Sequence, residues 1–560
     1  MTTTLAAVAP RIVAAGTLKL TLSPLDLTLI VIYFVFVIGI GFALRRLITT
    51  STDFFLSGRS LPAWITGIAF ISANLGAIEI LGMSASGAQY GISIVHYYWI
   101  GAVPAMVFLG IVMMPFYYGS RVRSVPEYLL RRYDDKTHLV NAIIFVISSV
   151  LIAGVNLYAL SAVLQALLGI PLAVAIVVSA LFVLSYILLG GLSSAIYNEV
   201  MQFFVILAGL VPVVIIALKE TGGIGGLFAK LSTNGHDFTS AWAGVGFGGH
   251  NPIGDWISLV FGLSFCLSFG YWTTNFAEVQ RAMSAKDDNS ARLTPIIGAY
   301  PKALIPLGIV IPGMAAVLLI PGLGVGGGLP FNLAIPALMN KYLPIGVLGV
   351  AITGLLAAFM AGMAANVSSF NAVWTYDIWQ VYIRPGRPDS YYLRVGRITT
   401  VAGVFIGILT AFIAAGYSNI ANYLQTLFSF FNVPIFLAFI VGMVWRKAGR
   451  GSGFWGMIVG TLFAFGTWLL YKTHVLSFRS DLAETQWGAI VGFISGLIAM
   501  LIATRFDTPK PLPELNGLVL GMQRQDVQTT ARVAWYKSPL LYGAGALVLC
   551  ALLYVYIAVV

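Results

Sequence analysis

A carboxylate and an ammonium, Glu79 and Lys302, lie inside long apolar runs of this chain. Charged side chains at bilayer depth are costly, so such residues pair, reach for the interface, or serve a solute or ion. Here the two are expected to pair with one another, or Lys302 to snorkel, and either arrangement leaves room for a role in transport. A third acid, Glu199, stands near the end of its run, where a solvated position is expected rather than a buried one. Glu79 closes the stretch Ser72-Ala73-Asn74-Leu75-Gly76-Ala77-Ile78-Glu79, with Gly82, Ser84, Ser86 and Gly87 close behind. Small and polar residues in mid-span favour a helix that breaks, exposing carbonyls and amides able to hold an ion or solute. A second such stretch is Ser268-Phe269-Gly270-Tyr271-Trp272-Thr273-Thr274-Asn275. Further on, Ala357, Ala358, Ala361, Gly362, Ala364, Ala365, Ser368 and Ser369 form a face of small residues that fits close helix packing, its polar end continued by Asn371 toward a cavity.

Other patterns carry no chemistry. Gly322, Gly324 and Gly327 match a dinucleotide fingerprint, but they follow Pro321 in a loop with no strand before them and no acidic residue after. The sequon Asn366-Val367-Ser368 lies within an apolar run. The five histidines form no metal-ligand cluster, and Cys266 and Cys550 sit in apolar runs, so neither a metal centre nor a disulfide framework is expected. No enzyme signature and no cofactor site is found.

The elements that position these residues follow from composition. Of 560 residues 59% are hydrophobic and 9% charged, far from a soluble domain, and disordered or collagen-like chains are excluded as well. Apolar runs long enough to span fall at about 24–45, 61–82, 91–117, 137–168, 171–191, 195–218, 254–275, 293–320, 343–369, 395–415, 419–444, 453–471, 485–504 and 539–559, fourteen in all. They are continuous rather than alternating, so they are helices and not barrel strands. Counting the Glu79 helix first, the second break falls in the sixth, where an inverted repeat of five plus five helices places its counterpart. With the N-terminus outside, 23 lysines and arginines fall in inside connections, seven in outside ones, and Lys302 within a span. That asymmetry predicts both termini outside, and it accounts for the net charge of +11 without nucleic acid.

In order along the chain, Phe54-Phe55-Leu56-Ser57-Gly58-Arg59, Ser72-Ala73-Asn74 with Gly82-Met83-Ser84, and Ser124-Val125-Pro126-Glu127-Tyr128 resemble the sodium/solute symporter family, most closely its sodium–sugar branch. Gly190-Gly191-Leu192-Ser193-Ser194-Ala195, Gln280-Arg281, Lys302 with Pro306 and Pro312-Gly313, and Thr375-Tyr376-Asp377-Ile378 continue the likeness to about residue 450. The resemblance implies an all-α polytopic membrane protein of about fourteen transmembrane helices with a five-plus-five, LeuT-like core. The corresponding organisation is an outside segment 1–23, an extra helix 24–45, repeats at 61–218 and 254–444, and peripheral helices over 453–560.

The resemblance also implies a solute site at Asn74, Glu79, Tyr98, Ser268, Lys302 and Gln425, with Tyr271 as an inner gate stacked under the solute. Three positions depart from the sugar branch: its carboxylate usually stands where this chain has Tyr98, an uncharged residue or histidine where it has Glu79, and an asparagine where it has Ser268. The family's sodium site maps to carbonyls of Ser72, Leu75 and Ala358 and to two hydroxyl side chains replaced here by Ala361 and Gly362, so its shell of hard oxygens is incomplete. The expected function is a plasma-membrane symporter of a small polar solute, a sugar or polyol, with lipid around it. The coupling ion is sodium or the proton, with Glu79 the proton candidate. The alternative is a proton-coupled or uncoupled carrier of a carboxylate or amino-acid-like solute, and sensor and intramembrane enzyme readings are weaker.

Overall fold

The computed structural model describes residues 18, 20–44, 55–120, 122–232, 238–325, 328–417, 419–522 and 534–559. Segment 1–17, Phe54, Gly327 and the basic residues Lys19, Arg45, Arg46, Arg121, Arg524 and Arg532 lie outside that set. Among the described residues every regular element is a helix, and strand-like pairing is confined to two isolated bridges, Leu61 with Ala285 and Gly449 with Pro509. The first half runs through α1 (Pro24–Leu44), α2 (Ala63–Asn74), α3 (Ile78–Val95), α4 (Tyr97–Tyr118), α5 (Asp135–Leu168) and α6 (Leu172–Thr221). The second runs through α7 (Ser258–Ser268), α8 (Phe269–Thr274), α9 (Phe276–Met283), α10 (Asp288–Leu319), α11 (Val347–Val373), α12 (Asp389–Ala414) and α13 (Ile420–Val444). Helices α14 (Ser452–Lys472), α15 (Asp481–Phe506) and α16 (Pro539–Val559) follow.

Ten helices among the described residues are long and apolar enough to cross a bilayer, eleven with α2 and α3 taken as one bent span. The shorter apolar stretches Pro24–Ile40 and Leu172–Ser185, and the short helices α7 and α8, fall on three of the remaining expected runs. Helical hydrogen bonding continues through all 50 residues of α6, although a straight helix of that length would measure about 75 Å, more than twice a hydrocarbon core. The expected runs 171–191 and 195–218 are therefore joined within one helix. The first run ends on Gly190 and Gly191, and Leu192-Ser193-Ser194 leads into the second, with no proline or charge to force an end.

Polar side chains start several helices where the chain re-enters the apolar layer. Asp134 accepts from Thr137 N at 2.9 Å at the start of α5, and Asp287 from Ser290 N at 2.7 Å at the start of α10. Each satisfies an amide that the first turn leaves open. Helix α11 is the axis of the molecule. Nearly all its residues are buried, and its small side chains let α2, α5, α6 and α12 pack close around it. Outer helices expose apolar side chains instead, among them Ile398, Phe405 and Leu409 on α12 and Leu462 and Phe463 on α14, as a lipid-facing surface requires.

One close backbone approach holds the half-helix that follows the first break. Between α2 and α3 the chain bends by 57°. Beyond the bend, a Cβ on Gly313 of α10 would lie 2.2 Å from the Ser84 carbonyl of α3, so only glycine admits that crossing. The crossing fixes Glu79, on α3, against the helix that carries Lys302.

Candidate functional site

The first break falls where the small, polar stretch predicts it: α2 ends at Asn74, Leu75 leaves helical geometry at φ −72° and ψ 38°, and α3 begins at Ile78. The second falls at the far end of its stretch. Helix α8 runs to Thr274, Asn275 is extended at φ −70° and ψ 109°, and its side chain accepts from Ala277 N at 3.0 Å to start α9. There the Asn275 side chain caps the new helix by satisfying one of its first-turn amides.

The residues flanking the first break and the α7–α8 stretch before the second face one cavity of about 50 Å³, lined by all seven expected solute-site residues, Asn74, Glu79, Tyr98, Ser268, Tyr271, Lys302 and Gln425. Trp272, Tyr97 and Phe428 complete its aromatic wall. Lys302 Nζ donates to Glu79 Oε1 in a buried ion pair, and to Asn74 Oδ1 at 2.6 Å. Tyr98 donates its hydroxyl to Glu79 Oε2 at 2.7 Å. The ammonium also lies over the rings of Tyr98 and Trp272, 4.9 and 5.1 Å from their centroids. The pairing weighed for Glu79 and Lys302 is thus present, and it lies inside the cavity that the solute residues define.

Tyr271 does more than provide a floor. Its ring lies 4.7 Å from that of Phe428, while its hydroxyl accepts from Asn74 Nδ2 at 3.1 Å and donates to Glu278 Oε1 at 2.9 Å. Glu278 was not singled out by the sequence. Three positions after Asn275, it fits a capping box, in which a glutamate turns back to the start of its own helix; the structure turns it instead to Tyr271. Glu199 corrects the expectation of a solvated end. It is fully buried and takes two bonds from Arg281, Nη2 to Oε1 at 2.5 Å and Nε to Oε2 at 3.1 Å. Arg281 lies one turn beyond Glu278 on α9, and a bidentate guanidinium offsets the cost of burying that acid.

The helices that carry the expected sodium positions also meet. Gly76, at the first break, and Gly362, on α11, approach so closely that a Cβ on Gly76 would lie 3.4 Å from the Gly362 Cα. Wedged against both is Asn156 of α5, a residue the sequence reading passed over as one polar group in a long apolar helix. Its Oδ1 accepts from Ala77 N at 2.9 Å, and a Cβ on either glycine would come within 2.4 Å of that oxygen. Ala361 and Gly362 offer no side-chain oxygen, and the Ser72 carbonyl already accepts from Leu75 N at 3.1 Å. The buried Ser72 hydroxyl has no partner among the described residues. Against Gly362, the space that a hydroxyl side chain would need is taken by the Asn156 carboxamide.

Helices broken in mid-membrane around a buried polar cavity, with apolar helices outside, define a multi-pass membrane carrier. The chain belongs to the sodium:solute symporter family, whose model matches residues 54–460, and is a secondary active symporter. A sodium/glucose cotransporter of Vibrio parahaemolyticus is 28% identical over 462 residues, covering 79% of this chain and 85% of that one. A sodium/myo-inositol cotransporter 2 of Oryctolagus cuniculus is 26% identical over 476 residues, covering 80% and 70%. Among solved structures, a Na+-coupled sialic acid symporter in a substrate-bound outward-open state shares the fold, with a TM-score of 0.72 at 20% identity over 87% of this chain and 99% of that one.

Proposed function

We propose that the protein carries a neutral polyhydroxylated solute, a sugar or a polyol, across the plasma membrane by alternating access, coupled to protons rather than sodium. The observation that supports this solute class best is the Lys302–Glu79 pair inside the cavity. A hydroxyl both donates and accepts, so it can enter between the two, accepting from the ammonium and donating to the carboxylate, and leave neither group unsatisfied. A carboxylate solute would meet Glu79 with like charge. The relatives that carry glucose and myo-inositol by name support the same class, and the aromatic wall suits the apolar face of a sugar ring. A second reading rests on the same pair: a zwitterionic, amino-acid-like solute could place its ammonium on Glu79 and its carboxylate on Lys302.

The proposed architecture has fourteen spanning segments, two of them joined within α6, with inverted repeats over 61–218 and 254–444 and both termini outside. No cofactor enters the proposal. The wedge formed by Asn156 against Gly76 and Gly362 supports coupling without sodium. Uptake of D-glucose, D-galactose, myo-inositol, N-acetylneuraminic acid and alanine into proteoliposomes, under an imposed pH gradient or an imposed sodium gradient, tests both parts. Concentrative uptake of a neutral polyol driven by the pH gradient is expected. Accumulation driven by sodium alone refutes the coupling, and transport confined to the carboxylate solute refutes the solute class.

A further inference from the structure

We propose that Glu278 is the proton-binding residue of this carrier, and that the Tyr271 hydroxyl links its proton to the solute. The proposal rests on the carrier reading above and deepens it. Glu278 is 2% exposed, and its Oε2 has no hydrogen-bond partner among the described residues.

The argument begins with charge. Five ionisable groups are buried around the two breaks: the acids Glu79, Glu199 and Glu278, and the bases Lys302 and Arg281. Lys302 is matched by Glu79 and Arg281 by Glu199, and no ion pair among the described residues joins Glu278 to a cation. Two cations cannot neutralise three carboxylates. An uncompensated buried charge is costly enough that the group takes up a proton instead. Glu79 is the poorer place for that proton, because neutralising it would strand the Lys302 ammonium.

The groups that face Glu278 come from several surrounding elements. Tyr271 comes from α8, Lys302 from α10, Glu199 from α6, and Arg281 from its own helix. The packed segment Met114–Gly119 brings Tyr117, which donates to the Thr273 carbonyl, and Tyr118, which donates to the Ala285 carbonyl. The portions of α2 and α11 that pack on α9 contain no ionisable side chain.

Hydrogen-bond direction completes the assignment. Lys302 donates to Asn74, Asn74 to Tyr271, and Tyr271 to Glu278 Oε1. The row ends on Glu278 Oε1, and Oε2, which has no partner among the described residues, is the oxygen left to carry the acid proton. The step is a simple ionisation: the Oε2–H bond breaks, the electron pair stays on the carboxylate, and the proton passes to water on the side to which the site opens. A solute hydroxyl that takes the Tyr271 hydroxyl for itself removes the donor that supports the Glu278 anion, so solute binding and proton binding favour one another.

Two measurements test this without sharing a failure. Infrared difference spectroscopy of the purified, solute-free protein between about pH 5 and about pH 9 reports the carbonyl stretch of a protonated carboxylic acid. A titrating band absent in Glu278→Gln and moved in Glu278→Asp is expected. Loss of the band in Glu79→Gln with retention in Glu278→Gln, or no titrating band in the wild type, overturns the assignment whatever the solute proves to be. With myo-inositol and D-glucose as probes, affinity should rise up to tenfold for each unit of falling pH across the titration. Glu278→Gln should flatten that dependence. An unchanged slope in a Glu278→Gln protein with wild-type melting refutes the link to the solute.

Discussion

A serine at position 362 separates the two accounts of the ion site. Its Cβ would stand 2.4 Å from Asn156 Oδ1 and 2.8 Å from Asn156 Cγ, far inside contact distance, so Gly362→Ser should destabilise the protein by about 1–3 kcal/mol through overpacking. Asn156→Ala removes the wedge but leaves the buried Ala77 N–H without its acceptor, again a loss of about 1–3 kcal/mol. In the double variant the serine enters the space the carboxamide has left, so the combined loss should be smaller than the two together by about 1–2 kcal/mol. Adding Ala361→Ser then supplies both missing hydroxyls, and sodium at about ten times its dissociation constant should stabilise this triple variant by about 1.4 kcal/mol. The assay is thermal unfolding in detergent, followed by tryptophan fluorescence, in sodium chloride against choline chloride at equal ionic strength. Melting should fall in both single variants, fall by less than the sum of the two in the double, and respond to sodium only in the triple. Strictly additive losses, or a wild type that sodium stabilises as much as the triple, would refute the wedge. Introducing the two serines without Asn156→Ala should fail to build a site at all.

The remaining predictions concern the cavity. Lys302→Met alone strands Glu79 and should lower stability by about 3–5 kcal/mol, whereas Glu79→Gln with Lys302→Met should recover most of it and still bind no polyol, read by melting and equilibrium binding. Gln425→Ala should weaken solute binding about five- to a hundredfold, the range for one lost polar contact; unchanged affinity would place the solute elsewhere. Tyr271→Phe keeps the ring against Phe428 and should hold affinity at high pH within a few-fold while flattening its pH dependence, and Tyr271→Ala should lose binding outright. Equal loss in both would show that the hydroxyl, not the ring, holds the solute.

The spanning runs were legible because lipid imposes the same apolar demand along the whole length of a helix. The first break was legible because Asn74, Gly76 and Glu79 have no other reason to stand together in mid-span. The join within α6 was not, since Gly190 and Gly191 mark a boundary only when a proline or a charge enforces it. The seven solute residues converge on one cavity because family resemblance preserves position where local pattern says little. Asn156 and Glu278 escaped notice for opposite reasons. Asn156 is a polar residue in an apolar helix, whose meaning depends on two glycines 80 residues before and 206 after it in sequence. Glu278 occupies a place in the Asn275 capping pattern that already explains a glutamate, and only the direction of its side chain shows the other use.

The size of the cavity ties the solute to the gate. About 50 Å³ holds a few waters and no six-membered ring, so the walls must part before a sugar can bind. The bonds that close them are Lys302 to Asn74, Asn74 to Tyr271 and Tyr98 to Glu79. Each joins a different pair of elements: α10 to α2, α2 to α8, and α4 to α3. On the proposed function, a hydroxyl-bearing solute would replace these bonds with its own, so the groups that recognise it would be the groups whose release lets the helices move. A solute that could not satisfy both Lys302 and Glu79 would open the site at the cost of an unpaired buried charge. Discrimination against it would then arise in the opening step as much as in binding.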